Sequence, residues 1–294
     1  MALLFALMMD PVASDDRRES FSDTLTAVDP AGPALPLGEL SAQRGDGIFE
    51  SLGVVDGHVQ EVGPHLARLA HSAGLCDLPA PHLDQWRAAI DSVAAEAGPG
   101  ESVIKLILSR GVENAGAPTA WITLAAAPDN HRARTEGVRV ATLDRGYALD
   151  VPGRAPWLLL GAKTLSYAVN MAAIREAKRR GADDAVFVTS DGFVLEAPTA
   201  SVILRFGDRV VTPTPHAGIL HGTTQRSLFA FLDGRGFTTA YEDMLASDLR
   251  TADAAWLLSS VRLAAPISAV DGVERSVDRA LTDEMNAYLL SARD

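Results

Sequence analysis

Cysteine is almost missing from this 294-residue chain: Cys76 stands alone, so no intrachain disulfide can form, and no second thiol or histidine cluster lies near it at metal-ligand spacing. No metal site is expected, and Cys76 reads as a small core residue at a helix end. An excess of positive charge is missing too, with a formal net charge of −12 and a pI near 5.0. Binding a phosphate backbone needs a clustered positive field, which argues against nucleic acid as a partner. Basic residues are scattered. Their one run, AKRRG at 177–181, fits a solvated helix end whose cations complement the helix dipole. Long apolar runs are also lacking. MALLFALMMD opens with nine apolar residues, far too few to cross a bilayer, and has neither a basic leader nor a small-residue cleavage site. A cytoplasmic protein without membrane association is expected.

With 47% apolar residues the chain can bury one large core or two moderate ones, and its length favours two lobes. Alternation and runs of valine, isoleucine and leucine predict strands near 48–55, 102–108, 120–126 and 137–142, with helices over 64–74 and 82–97. Residues 1–24, with the polar stretch SDDRRESFSD, read as a mobile lead-in, and 25–148 as a smaller N-terminal domain. The glycine and prolines of DRGYALDVPGRAPW mark a linker at 149–156. Beyond it, a larger domain at 157–294 shows strands near 184–189, 193–196, 200–205 and 209–212, then helices over 224–234 and 277–290. Strands clustered in this way suggest an α+β fold with a mixed sheet rather than a doubly wound parallel one.

Two residues offer chemistry. Lys163 in LLLGAKTLSYAVN and Glu196 in DGFVLEAPTASV each sit at the end of a strand-like run that exposes the side chain. A lysine becomes a nucleophile only when its amine is partly neutral, which calls for desolvation, and the apolar run Trp157 to Leu160 is expected to supply it. A lysine and a carboxylate so placed suit an aldehyde cofactor whose ring nitrogen must stay protonated. Read alone, each has a plainer explanation as a surface lysine and a helix-starting glutamate. In GILHGTTQRSLFAFL, Thr223 and Thr224 open a helix whose N-terminus suits a phosphate, or they serve as an ordinary N-cap. Arg68, in the helix of EVGPHLARLAHSAGL, either reaches that phosphate or faces water.

The order of these pieces resembles the class IV aminotransferases, the pyridoxal-phosphate family that includes D-amino-acid and branched-chain aminotransferases and 4-amino-4-deoxychorismate lyase. The resemblance rests on GDGIFESLGVVDG with HLARL, on GAKTLSYAVNMAAIREAKRRGADDAVFVTSDGFVLEAPTASV, on GILHGTTQRSL and on LLSSVRLAAPISAVDG, from about Arg44 to Gly272. It implies a two-lobed fold type IV architecture with a barrel-like sheet in the larger lobe, pyridoxal 5'-phosphate as cofactor, a small amino or carboxylate substrate and a homodimer. It further implies that Lys163 is the Schiff-base lysine, Glu196 the partner of the pyridine nitrogen and Tyr167 the partner of the ring hydroxyl. Arg68, Thr223, Thr224 and Ser260 fall on the phosphate-holding positions.

Within that family the substrate is set elsewhere. The loop SRGVENAGAPTAW lacks the arginine and histidine that trap a substrate carboxylate in the D-amino-acid enzymes, and Phe49 stands where they have tyrosine. Ser51 matches the position at which the lyases carry a threonine implicated in protonating the leaving enolpyruvyl group; its other reading is a strand residue facing water. Arg110 and Arg262 are candidates for the substrate carboxylate, or for salt bridges. The resemblance therefore points first to the lyase of folate biosynthesis. A D-amino-acid or branched-chain transaminase comes second, an enzyme with both activities lies between them, and a non-catalytic cofactor-binding protein is more remote.

Overall fold

A computed structural model describes residues 2–294. The chain divides into two compact units. The first runs to Pro128 and takes in Ala162–Tyr167 and Ala292–Asp294; the second comprises Asp129–Gly161 and Ala168–Ser291.

The first unit contains β1 (Leu3–Met9), β2 (Leu25–Val28), β3 (Gly47–Val55), β4 (His58–Val59), β5 (Glu101–Ser109) and β6 (Thr119–Ala126), with α1 (Leu40–Arg44), α2 (Val62–Leu75) and α3 (Leu83–Ala94). Its sheet runs β2-β1-β6-β5-β3-β4 and every pairing is antiparallel. Strand parity sorts the side chains. Ile48, Leu52 and Val54 of β3, Ile104, Leu106 and Leu108 of β5, and Ile122 and Leu124 of β6 share one core with Leu66 and Leu69 of α2 and Trp86 and Ile90 of α3. Phe49 and Ser51 therefore project from the opposite face, in register with Ile107 and Lys105 of β5.

Residues 2–24 are not a loose lead-in. The apolar LLFALMM forms β1, pairs with both β2 and β6, and buries Leu7 and Met9 in the core, on the face that the helices cover. The following turn is tied down as well: Val12 N–H donates to Gln85 Oε1, and Gln85 Nε2 donates to the Asp10 carbonyl. Cys76, buried at the end of α2, belongs to the same core.

The second unit contains α4 (His131–Thr135), β7 (Val138–Asp144), α5 (Val151–Arg154), α6 (Ala168–Arg179), β8 (Asp184–Val188), β9 (Ser201–Phe206), β10 (Arg209–Thr212), α7 (Thr223–Gly234), β11 (Thr238–Tyr241), α8 (Asp248–Thr251), β12 (Ala254–Ser259), β13 (Leu263–Val270), β14 (Val273–Glu274) and α9 (Arg279–Leu290). Its sheet runs β11-β10-β9-β12-β13-β7-β8, with β14 on β13. The sheet is mixed: β7 is parallel to both β8 and β13, while β9, β12 and β13 are antiparallel neighbours. The fold is thus α+β, as the clustered strands predict. The break between units follows Pro128 instead of falling at 149–156, since β7 is built into the second sheet and α5 lies beyond it. The run at 193–196 makes only isolated bridges, because its N–H groups divide between Met244 and Phe187 and no single strand partners it.

Candidate active site

In the first unit the lysine segment is laid along β3. Phe49 N–H donates to the Lys163 carbonyl (2.9 Å) and Leu165 N–H to the Gly47 carbonyl (2.8 Å), so residues 163–165 run beside β3 like a short added strand. Gly47 makes this approach possible: a Cβ there would stand 2.7 Å from the Leu108 carbonyl oxygen and 2.9 Å from Leu165 Cδ1. From the other side Lys163 N–H donates to Ser72 Oγ of α2 (3.2 Å). These contacts fix the backbone of Lys163 on β3 and α2.

Phe49 is the hub of the site. Lys163 Nζ lies 4.6 Å from its ring centroid, and Tyr167 packs edge-on against it with centroids 5.3 Å apart. Lys105 Nζ also lies 4.6 Å from that centroid. Two of the chain's three lysines therefore converge on one phenyl ring. Burial pushes the Lys105 amine below its usual range, and no carboxylate among the described residues pairs with it. Ser51 is the cross-strand neighbour of Lys105, which places a hydroxyl next to that cation on the Phe49 face. The run from Trp157 does not form the apolar wall expected of it. Trp157 is 74% exposed, Leu158 and Leu159 are exposed too, and the apolar surface beside Lys163 is Phe49.

On the opposite face of β3, Glu50 is fully buried and accepts from Arg68 Nε and Arg68 Nη2, both at 2.7 Å. His65 Nδ1 stands 2.8 Å from the same carboxylate. Burial pushes the Glu50 carboxyl up, but the charge and hydrogen bonds of Arg68 and the His65 contact outweigh it and hold it at about 2. Burial dominates at His65 and lowers its proton affinity.

In the second unit, Gly222 caps α7 and the cap makes no side-chain hydrogen bond, while the first-turn N–H groups have no acceptor within the helix. The buried hydroxyls of Thr223 and Thr224 lie 3.4 and 3.1 Å from Ser260 Oγ. A Cβ on Gly222 would collide with Ser201 Oγ, so a larger residue fits there only if that hydroxyl moves. Three hydroxyls at a helix N-terminus form a donor set suited to a phosphate. Glu196 hydrogen-bonds across to β8, its carbonyl accepting from Phe187 N–H (2.9 Å), and its Oε2 accepts from Leu220 N–H (3.2 Å). Tyr147 lies near it: burial, and then the Glu196 charge against the opposing pull of Arg145, raise the phenol above its usual range.

The two candidate arginines are engaged elsewhere. Arg110 bonds Asp46 (2.8 Å) and the carbonyls of Cys76 and Asp77, tying the loop before β3 to the end of α2. Arg262 bonds the buried Asp184 (2.8 Å), with its Nε and Nη2 buried and unpartnered. Glu50, His65, Lys105 and Tyr147 were given no role by the sequence, although Glu50 and His65 lie within the stretches GDGIFESLGVVDG and HLARL. The signal for the first and third was a charge inside an apolar strand, GIFESLGVV and ESVIKLILS. Among the described residues no group of three or more His, Cys, Asp or Glu could hold a metal ion, and no helix is long and apolar enough to cross a membrane.

The chain belongs to the amino-transferase class IV family, whose model matches residues 47–270. It is a pyridoxal 5'-phosphate-dependent enzyme, a lyase or an aminotransferase. In sequence it is 42% identical, over 90% of its length and 94% of the relative's, to a bifunctional aminodeoxychorismate lyase / D-amino acid transaminase of Mycobacterium tuberculosis. It is 25% identical, over 83% and 90%, to an aminodeoxychorismate lyase of Vibrio harveyi. In structure it resembles a fold IV transaminase of Curtobacterium pusillum, with a TM-score of 0.93 and 47% identity over 97% of both chains. A hypothetical aminotransferase of Mycobacterium tuberculosis in its pyridoxal-phosphate-bound form matches with a TM-score of 0.88 and 38% identity, covering 98% of this chain and all of the other.

Proposed function

We propose that the chain is an aminodeoxychorismate lyase, splitting 4-amino-4-deoxychorismate into 4-aminobenzoate and pyruvate on the way to folate. The observation that carries this reading is the cross-strand pair Ser51 and Lys105 on the face that holds Phe49 beneath Lys163. A lyase needs a proton donor for the departing enolpyruvyl group and a cation for a carboxylate, and this pair offers both. In this reading Lys163 Nζ takes the proton from the amine-bearing carbon of the substrate. Ser51 Oγ delivers a proton to the methylene carbon of the enolpyruvyl group as its bond from oxygen to the ring breaks, and Lys105 holds a substrate carboxylate. Arg68, Thr223, Thr224 and Ser260 hold the cofactor's phosphate, Tyr167 hydrogen-bonds its ring hydroxyl, and Glu196 keeps the proton on its ring nitrogen. Bound pyridoxal 5'-phosphate supplies the electron sink.

The Mycobacterium tuberculosis relative carries two activities in its name, which supports D-amino-acid transamination as a second reading. That activity uses Lys163 and Glu196 in the same roles and makes no demand on Ser51. Incubation with 4-amino-4-deoxychorismate should release 4-aminobenzoate. No product, alongside rapid turnover of D-alanine with 2-oxoglutarate, would reject the lyase. A homodimer is part of this reading, supported by exposed apolar side chains at Trp157, Leu158, Val169 and Met171. Light scattering should give twice 31.1 kDa, and a monomer would count against it.

A further inference from the structure

Glu39 is fully buried, and among the described residues no cation pairs with it. A carboxylate so placed is costly unless its oxygens are saturated by hydrogen bonds. Three segments supply them. Ser109 Oγ, from the last residue of β5, and the Ser41 N–H of α1 (3.3 Å) donate to Oε1, while Thr119 Oγ1, from the first residue of β6, donates to Oε2 (2.8 Å). Burial pushes the Glu39 carboxyl up, but these bonds outweigh it and hold it below its usual range. One side chain thus ties the start of α1 to the ends of two sheet strands.

What α1 leads into gives that tie a use. Glu39 caps the helix at its start, and Gly45 closes it in a left-handed turn with φ +67°. The turn is fastened to the same strand end: Asp46 N–H donates to the Leu40 carbonyl (3.3 Å), and the Asp46 carbonyl accepts from Arg110 N–H (3.2 Å) and lies 3.3 Å from Ser109 Oγ. Residues 45–49 then carry the lysine segment. Ser166 Oγ donates to the Gly45 carbonyl (3.1 Å), Leu165 N–H to the Gly47 carbonyl and Phe49 N–H to the Lys163 carbonyl. Every residue in this series belongs to the first unit. We propose that Glu39 is a positioning residue for Lys163: by pinning α1 to Ser109 it fixes the edge on which the lysine segment lies, and with it the place of the amine. This deepens the reading of Lys163 as the base and rests on it. An apolar side chain at position 39 would fill the space but leave α1 without its anchor and two hydroxyls without their acceptor.

Hydrogen exchange and steady-state kinetics on the cofactor-loaded enzyme test this in Glu39→Leu, Glu39→Gln, Ser109→Ala and Thr119→Val. Glu39→Leu removes both acceptor oxygens, and Ser109→Ala cuts the link toward Asp46. In both, exchange at the Phe49 and Leu165 amides should rise about tenfold or more, the loss of one hydrogen bond to a charged group, while the mid-sheet amides of Ile104, Leu106 and Ile122 stay within about twofold. The kcat should fall about 10- to 100-fold with KM within about threefold, because the amine is misaimed while the substrate contacts remain. Glu39→Gln keeps one acceptor, and the hydroxyls can turn to meet its amide, so it should retain most of the wild-type behaviour. Thr119→Val removes a bond to the same carboxylate away from the path to Asp46, and should leave kcat and both amides within about twofold. Should Glu39→Leu not fold, the Ser109 and Thr119 variants decide the question. Wild-type exchange at Phe49 and Leu165 in the folded variants, or faster exchange with kcat unchanged, overturns the proposal. Equal loosening of the whole sheet by Ser109→Ala and Thr119→Val makes Glu39 a residue of stability alone and overturns it too. Turnover retained by Lys163→Ala would reject the reading of Lys163 itself, whatever the exchange pattern, and the positioning role with it.

Discussion

Replacing Lys105 by methionine removes one charge and keeps most of the side-chain volume. The amine is largely buried, stands 4.6 Å from the Phe49 ring centroid and has no carboxylate partner among the described residues. If it receives a substrate carboxylate, the interaction lost is a charge-assisted hydrogen bond worth about 1.5–3 kcal/mol, or about 10- to 150-fold in affinity. The KM for 4-amino-4-deoxychorismate should rise by that factor with a smaller change in kcat, measured by 4-aminobenzoate release. Stability should move the other way. The cation–π contact given up is worth about 0.5–1 kcal/mol, while a desolvated cation is removed. The pH dependence has a definite sign. The folded-state pKa of Lys105 lies below its ordinary 10.5, so between those values the unfolded chain binds the extra proton and stability rises with pH. Lys105→Met should flatten that rise. A KM within about twofold of wild type would refute the carboxylate role, since no charge-assisted bond is that weak.

Lys163→Ala should abolish both lyase and transaminase turnover and leave no borohydride-fixed cofactor at that position by peptide mass analysis; turnover in the variant would mean that another residue carries the chemistry. Gly222→Ala should cost about 1–3 kcal/mol and weaken the cofactor by crowding Ser201 Oγ, and Ser201→Ala in the same chain should recover most of the loss. Its φ of −65° suits alanine, so failure of the second substitution to rescue would show that packing is not the cause. Glu50, held at about 2 in place of 4.5, contributes stability that is present above pH 4.5 and lost as pH falls toward 2, about 3 kcal/mol in all. Acid unfolding of Glu50→Gln should lack that dependence, and a curve parallel to wild type would contradict the ion pair.

Much of the fold is local and was legible in the chain. Alternation in GIFESLGVV, ESVIKLILS and TAWITLAA marks β3, β5 and β6, and the helices expected over 64–74, 82–97, 224–234 and 277–290 correspond to α2, α3, α7 and α9, because each pattern reports the burial of its own segment. The candidate residues with chemistry of their own, Lys163, Glu196, Thr223 and Thr224, follow from residue type and motif order. What lay outside such patterns was misjudged. LLFALMM reads as part of a mobile lead-in and is a strand paired on both edges, and the run from Trp157 reads as a desolvating wall and is exposed.

Only tertiary structure decided which faces meet. That Glu50 joins Arg68 and His65, that Lys105 and Lys163 share one phenyl ring, and that β3 carries the lysine segment along its edge all depend on register between strands far apart in sequence and on which face the helices cover. A charge within an apolar strand announces a cost. Its partner, and therefore its use, is set by whatever the fold packs against that face.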